Sequence, residues 1–221
     1  MSETENLYRT KKVDGGVAIT GYFKSRLGNA SILILPSTIK GKRVVKIAEH
    51  SFSDCDSLTN VVIPKSVQSI GDYAFSFCMS LTNIVIPNSV QSIGNEAFSY
   101  CMSLTSVVIP KSVRSIGDDA FTFCTSLTNV VIPNRVPSVG KEAFSFCTSL
   151  TNVVIPNSVQ SISKSAFSYC SSLTSVVIPK SVQSIGEEAF DNCPAKLYVY
   201  KDSYAGKWAI KNKRKYEIVH S

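Results

Sequence analysis

LTNVVIPKSVQSIGDYAFSFCMS, residues 58–80, is the unit that most of this chain repeats. Five further copies follow it at a constant spacing of 23 residues, without insertion or deletion. They begin at Leu81, Leu104, Leu127, Leu150 and Leu173. A constant period of about 20 to 50 residues is typical of solenoids, in which each unit buries its apolar face only by stacking on a neighbour. The sequence therefore predicts one elongated stack of similar coils.

Each copy contains two short extended segments. Residues 61–63 (VVI) are β-branched and favour a strand, and Pro64 ends that strand because proline has no N–H to donate to a ladder. Residues 67–70 (VQSI) predict a second extended segment. We expect Gly71 to close it at a positive φ angle, which glycine adopts without steric cost.

The end of each copy, residues 72–78, is expected to form one or two helical turns. In a helix Ala74, Phe75 and Cys78 share one face. Stacked coils would align these residues in columns through a core that extends in one dimension. The phenylalanine column is Phe52, Phe75, Phe98, Phe121, Phe144, Phe167 and Phe190. The cysteine column is Cys55, Cys78, Cys101, Cys124, Cys147, Cys170 and Cys193.

The cysteine column predicts buried thiols that pack as small apolar side chains. Aligned side chains point the same way, whereas a disulfide demands a strict dihedral geometry. Structural zinc needs ligands that converge from short spacings, and the sequence has no C-x-x-C. We therefore expect neither a metal site nor a cofactor.

The unit LTxVxIPxSVxSIGxxAFxxCxS resembles the BspA-type leucine-rich repeat over residues 30–195. The resemblance implies a β-rich α/β leucine-rich-repeat solenoid, with a parallel sheet on one face and a short strand and helical turn on the other. It also implies a non-catalytic module for protein or matrix binding, often for adhesion at a cell surface. It brings no catalytic residues with it.

The pattern divides the chain into three parts. Residues 1–29 are expected to form an N-terminal β-hairpin cap, with its turn at Asp14-Gly15-Gly16. Residues 30–195 are the repeat array of seven turns, of which the first is irregular and carries five extra residues around 40–43. Residues 196–221 predict a C-terminal β-α-β cap.

The formal net charge of +7 is unevenly distributed along the chain. Residues 58–195 hold seven Lys and Arg against eight Asp and Glu, whereas residues 196–221 hold seven against two. A near-neutral array lacks the basic stripe expected of a nucleic-acid-binding surface, so no nucleic-acid partner is expected. The sequence also lacks a run of about 18–20 apolar residues, so no membrane span is predicted.

The sequence is compatible with more than one cellular compartment. The family resemblance implies a secreted or cell-surface protein. The N-terminal residues lack the apolar region of a secretory signal, and seven unpaired-looking cysteines fit an intracellular or reduced state. A targeting segment removed from a mature form is the other explanation.

The chain is not expected to be an enzyme. His50 and His220 lie at opposite ends of the array, and no base is placed to activate any of the serines.

A partner is expected to bind the outward face of the parallel sheet. Alternation in a strand points residues 61 and 63 inward and residues 60 and 62 outward. The outward row is Val62, Val85, Val108, Val131, Val154 and Val177. Beside it runs the row Asn60, Asn83, Ser106, Asn129, Asn152 and Ser175. Beyond the strand end lies the row Lys65, Asn88, Lys111, Asn134, Asn157 and Lys180.

Other interpretations of this face stay open. Valine also maximises strand propensity, so the exposed row could be structural only. The chain could then be a structural element that is monomeric or self-associates weakly. A carbohydrate or ice surface is a further hypothesis, based on a regular threonine row. That row is Thr59, Thr82, Thr105, Thr128, Thr151 and Thr174.

Overall fold

The computed structural model describes residues 7–22 and 30–220, and it is a solenoid with two sets of stacked parallel strands. The first set, ladder 1, comprises β3 (Ile32–Ile34), β6 (Asn60–Val62), β8 (Asn83–Val85), β10 (Ser106–Val107), β12 (Asn129–Val131), β14 (Asn152–Val154), β16 (Ser175–Val177), β18 (Lys196–Tyr200) and β19 (Tyr216–Val219). The second set, ladder 2, comprises β2 (Gly16–Tyr22), β5 (Lys42–Ile47), β7 (Ser69–Ile70), β9 (Ser92–Ile93), β11 (Ser115–Ile116), β13 (Ser138–Val139), β15 (Ser161–Ile162) and β17 (Ser184–Ile185). Among the described residues, the strands β1 (Tyr8–Val13) and β4 (Thr38–Ile39) and the helix α1 (Tyr204–Lys211) lie outside the two ladders.

The coils stack in register, as the sequence predicts. Val61 pairs with Ile84 across β6 and β8, and Ser69 pairs with Ser92 across β7 and β9. Both offsets equal the 23-residue repeat. The irregular first coil joins ladder 1 at an offset of 28, since Leu33 pairs with Val61. Like residues therefore lie over like residues.

The core consists of columns of identical side chains. The seven rings of the phenylalanine column are buried, and successive centroids lie 5.2–5.6 Å apart with the ring planes nearly parallel. The cysteine column is also buried, as predicted, and its sulfur atoms form no disulfide among the described residues. The Cys101 Sγ donates to the Phe75 carbonyl at 3.2 Å, and Cys124 contacts Phe98 in the same way. Burial raises the pKa of the Cys101 thiol to about 12, so this thiol stays neutral.

The predicted helical turns over residues 72–78 are wrong. This third side of each coil, the turn side, is a series of turns in which residues 73 and 77 adopt positive φ angles of 54° and 58°. Alternate N–H groups leave the coil and donate to the next one, as Phe75 N does to the Ala97 carbonyl at 2.8 Å. A helix would keep those bonds within the coil and could not form this third ladder.

The expected positive φ angle of Gly71 is also wrong. Among described glycines only Gly15, Gly21 and Gly41 have positive φ. The glycine at this position of the repeat is needed for close approach of the coils. A Cβ atom on Gly117 would lie 2.5 Å from the Asn95 nitrogen, well inside a van der Waals contact.

The two ends of the solenoid differ from the repeats. Strands β1 and β2 form an antiparallel hairpin with Gly15 at its turn, and β2 extends ladder 2 by pairing with β5. At the other end β18, α1 and β19 form a β-α-β unit whose two strands extend ladder 1 in parallel. Ladder 1 is therefore nine strands long, with seven strands from residues 30–195 and two from residues 196–221. Among described residues no helix has the length and apolarity needed to cross a bilayer.

Candidate functional site

The outward face of ladder 1 carries a continuous apolar row, here called the valine row. Its members are Val62, Val85, Val108, Val131, Val154 and Val177. Their exposed fractions run from 38% at Val62 to 79% at Val108, and Ile34 continues the row at 69%. The alternate residues Val61 and Ile84 point inward and are buried. The row is exposed because the strand alternates, and its regularity follows from the register.

Part of this face is concave. A groove of about 780 Å³ crosses the first three regular coils, with Val62, Val85 and Val108 in it. It brings together seven of the residues predicted to bind a partner, namely Val62, Lys65, Asn83, Val85, Asn88, Ser106 and Val108. The other predicted residues lie outside the groove along the same three rows. They are Asn60, Lys111, Asn129, Val131, Asn134, Asn152, Val154, Asn157, Ser175, Val177 and Lys180.

The threonine row beside the strands is occupied by hydrogen bonds within the solenoid. The Thr82 hydroxyl donates to the Thr59 carbonyl at 2.9 Å, and Thr151 donates to the Thr128 carbonyl at 3.1 Å. In addition, the Asn129 amide donates to the Thr128 hydroxyl at 2.9 Å. Hydroxyl donors that already bond to the backbone cannot also match a regular lattice of acceptors. This geometry disfavours the ice or carbohydrate interpretation of the row.

The charges of the array are separated by side, which the near-neutral total conceals. Within residues 58–195, all eight Asp and Glu lie on the turn side of their coils. Five of the seven Lys and Arg lie on the two strand-bearing sides, where there is no acidic residue. These five are Lys65, Lys111, Arg114, Arg135 and Lys180. Counting charges by position in the repeat, rather than along the chain, would have found this pattern in the sequence.

Three of these five cations, together with Arg43, converge at the corner between the two ladders. A second, smaller cavity of about 270 Å³, here called the arginine cleft, is lined by Arg43, Lys65, Arg114 and Arg135 among serine, asparagine and glutamine side chains. It adjoins the groove, because Lys65, Asn88 and Ser89 line both cavities. Of the residues that line this cleft, only Lys65 and Asn88 were predicted from the sequence to bind a partner.

The turn side carries a hydrogen-bonded acidic ridge. The Asp72 side chain accepts the Asn95 N–H at 2.8 Å, and the Asp118 side chain accepts the Lys141 N–H at 2.7 Å. Burial, together with nearby Glu142, raises the pKa of the Asp119 carboxyl to about 6. This residue also has a φ angle of 56°. The acidic ridge is therefore hydrogen-bonded to neighbouring coils. The ionised carboxylate of Asp119 lowers the stability of the folded state.

Replacing Asp119 by asparagine is expected to raise the melting temperature at pH 8 by a few degrees. The folded pKa of about 6 exceeds the ordinary value of about 3.9, so the carboxylate opposes folding above pH 6. That cost fades as the pH falls through the folded pKa and vanishes below about pH 4, where both states are protonated. Thermal unfolding of both proteins between pH 4 and pH 8 measures it. A gain that is constant with pH would instead reflect the preference of asparagine for positive φ.

The described residues hold no group of three or more His, Cys, Asp or Glu side chains suited to a metal ion. His50 stacks on the Tyr73 ring with centroids 4.6 Å apart, so its imidazole packs against the next coil. In the basic C-terminal region, Arg214 donates to the Cys193 carbonyl at 2.6 Å and ties the chain to the last coil. These polar groups have structural roles.

The chain is similar to known repeat proteins in both sequence and structure. The family model for the BspA type leucine-rich repeat region matches residues 29–111 and 91–206, with six copies. A crystal structure of a T. pallidum leucine-rich repeat protein is 30% identical, covers 100% of this chain and 99% of that chain, and has a TM-score of 0.79. A leucine-rich cell surface protein from Faecalibacterium prausnitzii is 34% identical, with a TM-score of 0.82. The match covers 92% of this chain and 55% of that protein.

The pneumococcal vaccine antigen PcpA shares the fold alone, at 19% identity and a TM-score of 0.52 over 100% of this chain and 49% of the antigen. No curated protein matches the sequence. None of the names of the three similar structures denotes an enzyme. The family model and the first two structures confirm the resemblance of the repeat unit to the BspA-type leucine-rich repeat.

Proposed function

We propose that this chain, which belongs to the BspA-type leucine-rich repeat family, is a non-catalytic module that binds a protein partner through the valine row. The observation that carries the proposal is a contiguous row of exposed valines, three of which line a groove of about 780 Å³. Exposed apolar surface that is concave and bordered by polar residues is typical of a protein interface. The F. prausnitzii relative is described as a cell surface protein, and we infer adhesion at such a surface as the setting.

Transfer of valine side chains from water into an interface would supply most of the binding free energy. Fully burying a valine contributes about 1.5–3 kcal/mol, so a partner that covers several members of the row gains substantial affinity. Polar rows on both sides then supply the rim of the interface. On one side this rim includes Asn83 and Ser106, and on the other it includes Lys65 and Asn88. Such a rim fixes orientation more than it adds affinity.

Replacing Val62, Val108 and Val154 together by lysine is expected to weaken partner binding more than about a hundredfold. Each change removes apolar contact and places an ammonium group where a partner would have to desolvate it. The measurement is a quantitative pull-down with purified wild-type and variant proteins, followed by titration of the proteins that wild type retains.

A matched control places three lysines at exposed apolar positions outside ladder 1. Met79, Met102 and Ile210 are 43%, 37% and 61% exposed, and their replacement by lysine adds the same charge. Retention by the control but not by the valine variant, with unchanged circular dichroism, is the expected result. Equal retention by all three proteins would refute binding through the valine row.

A further inference from the structure

The two arginines of the regular array are departures from its repeat. At the position of Arg114 the other five copies have glutamine, apart from one proline, and at the position of Arg135 they have serine. No other arginine occurs between residues 58 and 195. Both side chains line the arginine cleft, although they come from different positions of different copies. In an array this uniform, arginines introduced at only two sites and brought to one cavity indicate a role for that cavity.

The third arginine completes the cleft from the irregular first coil. The pairing of Lys46 with Ser69 and the 23-residue period place Arg43 in the same column as Arg135, four coils away. At a rise of about 4.8 Å per coil, they bracket a trough about 19 Å long. Small serines lie between them, and the hydroxyls of Ser89 and Ser112 each donate to backbone carbonyls at 2.6 Å. Cations and side-chain amides are thus the donors left to face a ligand.

The charge of the cleft is not neutralised within the described part of the chain. Arg43, Lys65, Arg114 and Arg135 form no salt bridge there, and every acidic residue of the regular copies lies on the turn side. By contrast, Lys141 and Lys164 on the turn side lie 3.2–4.0 Å from glutamate oxygens. These exposed cations are therefore opposed only by solvent and its ions, and an acidic ligand would complement them.

We propose that the partner inserts an extended acidic segment between the arginine cleft and the groove, with its carboxylates on the arginines. This inference rests on the proposed function and names the chemistry of the partner. Alternate side chains of an extended chain point to opposite sides, so one set reaches the cleft while the other reaches the valine row. The 19 Å trough accommodates about six such residues. Arginine forks bind carboxylates in bidentate fashion.

A nucleic acid fits the cleft less well than an acidic peptide. No aromatic ring lines the cleft on which a base could stack, and a polyanion would leave the adjoining valine row without a contact. The shared lining residues Lys65, Asn88 and Ser89 make the two cavities one surface, which an amphipathic segment covers completely.

The test uses fluorescence anisotropy with the full chain and a labelled twelve-residue peptide that alternates glutamate with leucine. Its companion peptide has glutamine in place of every glutamate. The expected result is binding of the glutamate peptide that weakens with salt, and about tenfold weaker binding of the glutamine peptide. Failure of the glutamate peptide to bind, or equal binding of the two peptides, would overturn the inference.

The chain supplies its own variants for this test. Arg114→Gln and Arg135→Ser together restore residues that other copies carry at those positions, so the fold is expected to persist. The pair should weaken binding of the glutamate peptide about tenfold. Lys141→Gln with Lys164→Gln removes the same charge from the turn side and should leave binding unchanged. An equal effect of the two pairs would reduce the result to net charge and refute the cleft.

Two further arms separate this inference from the function on which it rests. If the valine-to-lysine variant loses the peptide while the arginine pair keeps it, the sheet face binds but the acidic partner is excluded. For this arm Val62, Val108 and Val154 are replaced by serine, which removes the apolar contact without adding a charge that could itself hold the glutamate peptide. If the arginine pair loses the peptide and this serine variant keeps it, binding through the valine row fails. Heparin and a single-stranded oligothymidine that bind as tightly as the peptide, and are displaced by it, would point to a general polyanion site and overturn the acidic-peptide proposal.

Discussion

Replacing Phe121 by alanine is expected to lower the free energy of unfolding by about 3–5 kcal/mol. Its ring is fully buried between those of Phe98 and Phe144, at centroid distances of 5.2 and 5.5 Å. In a stack that is held together only by contacts between neighbouring coils, a cavity at this position weakens two interfaces at once. Urea denaturation followed by circular dichroism measures the loss.

The same coil offers a control. Phe123 belongs to a second column of rings on the turn side, half-exposed, with neighbours at 4.5 and 4.3 Å. Phe123→Ala removes the same atoms and also breaks two stacking contacts, but it leaves a gap that water can fill. We expect a clearly smaller loss. Equal losses would mean that ring stacking, and not burial of the phenylalanine column, carries the stability.

Ending the chain after Ala195 is expected to produce a protein that aggregates or fails to fold. The C-terminal segment buries Leu197, Val199 and Ala205 against the last coil, and Trp208 meets the Phe190 ring edge-on at 6.2 Å. Its removal would expose that apolar end and the open edge of ladder 1, which is a template for pairing with another chain. It also lowers the formal net charge from +7 to +2.

Light scattering coupled to size-exclusion chromatography, over a range of concentrations, measures this effect. The full chain serves as the reference, and its own mass reports whether it self-associates. We expect the shortened chain to elute as large or polydisperse species. A monodisperse monomer that unfolds at the same urea concentration as the full chain would contradict the proposed capping role of residues 196–221.

The sequence predicts this fold well where the repeat itself holds the information. The period fixes the register, and β-branched residues ahead of Pro64 fix the first strand of each coil. The turn side could not be predicted, because the spacing of Ala74, Phe75 and Cys78 fits a helix as well as it fits the observed turns. Residues 73 and 77 carry no glycine to indicate positive φ. Hydrogen bonds to the next coil override their local preference, and only the stacked structure shows these bonds.

The candidate site was also predictable only in part. The outward position of Val62 and its equivalents follows from strand alternation, so the exposed rows were predictable from one unit. The arginine cleft was not, since Arg43 lies in an irregular coil whose offset to the next coil changes from 28 residues at Leu33 to 23 at Lys46. Its alignment with Arg135 depends on the three coils between them. A group of side chains from distant copies can be recognised only when the register of every coil between them is known.

The uniform register also affects how this chain folds. Because consecutive copies are nearly interchangeable, a chain that loops out one whole copy still meets matching columns, and two chains can exchange copies without a mismatch. Closing a 23-residue loop costs little more than closing a shorter one, so such slipped states are close competitors during folding. The N-terminal hairpin, the irregular first coil and the β-α-β unit at the other end depart most from the repeat, and they therefore favour the native number of coils.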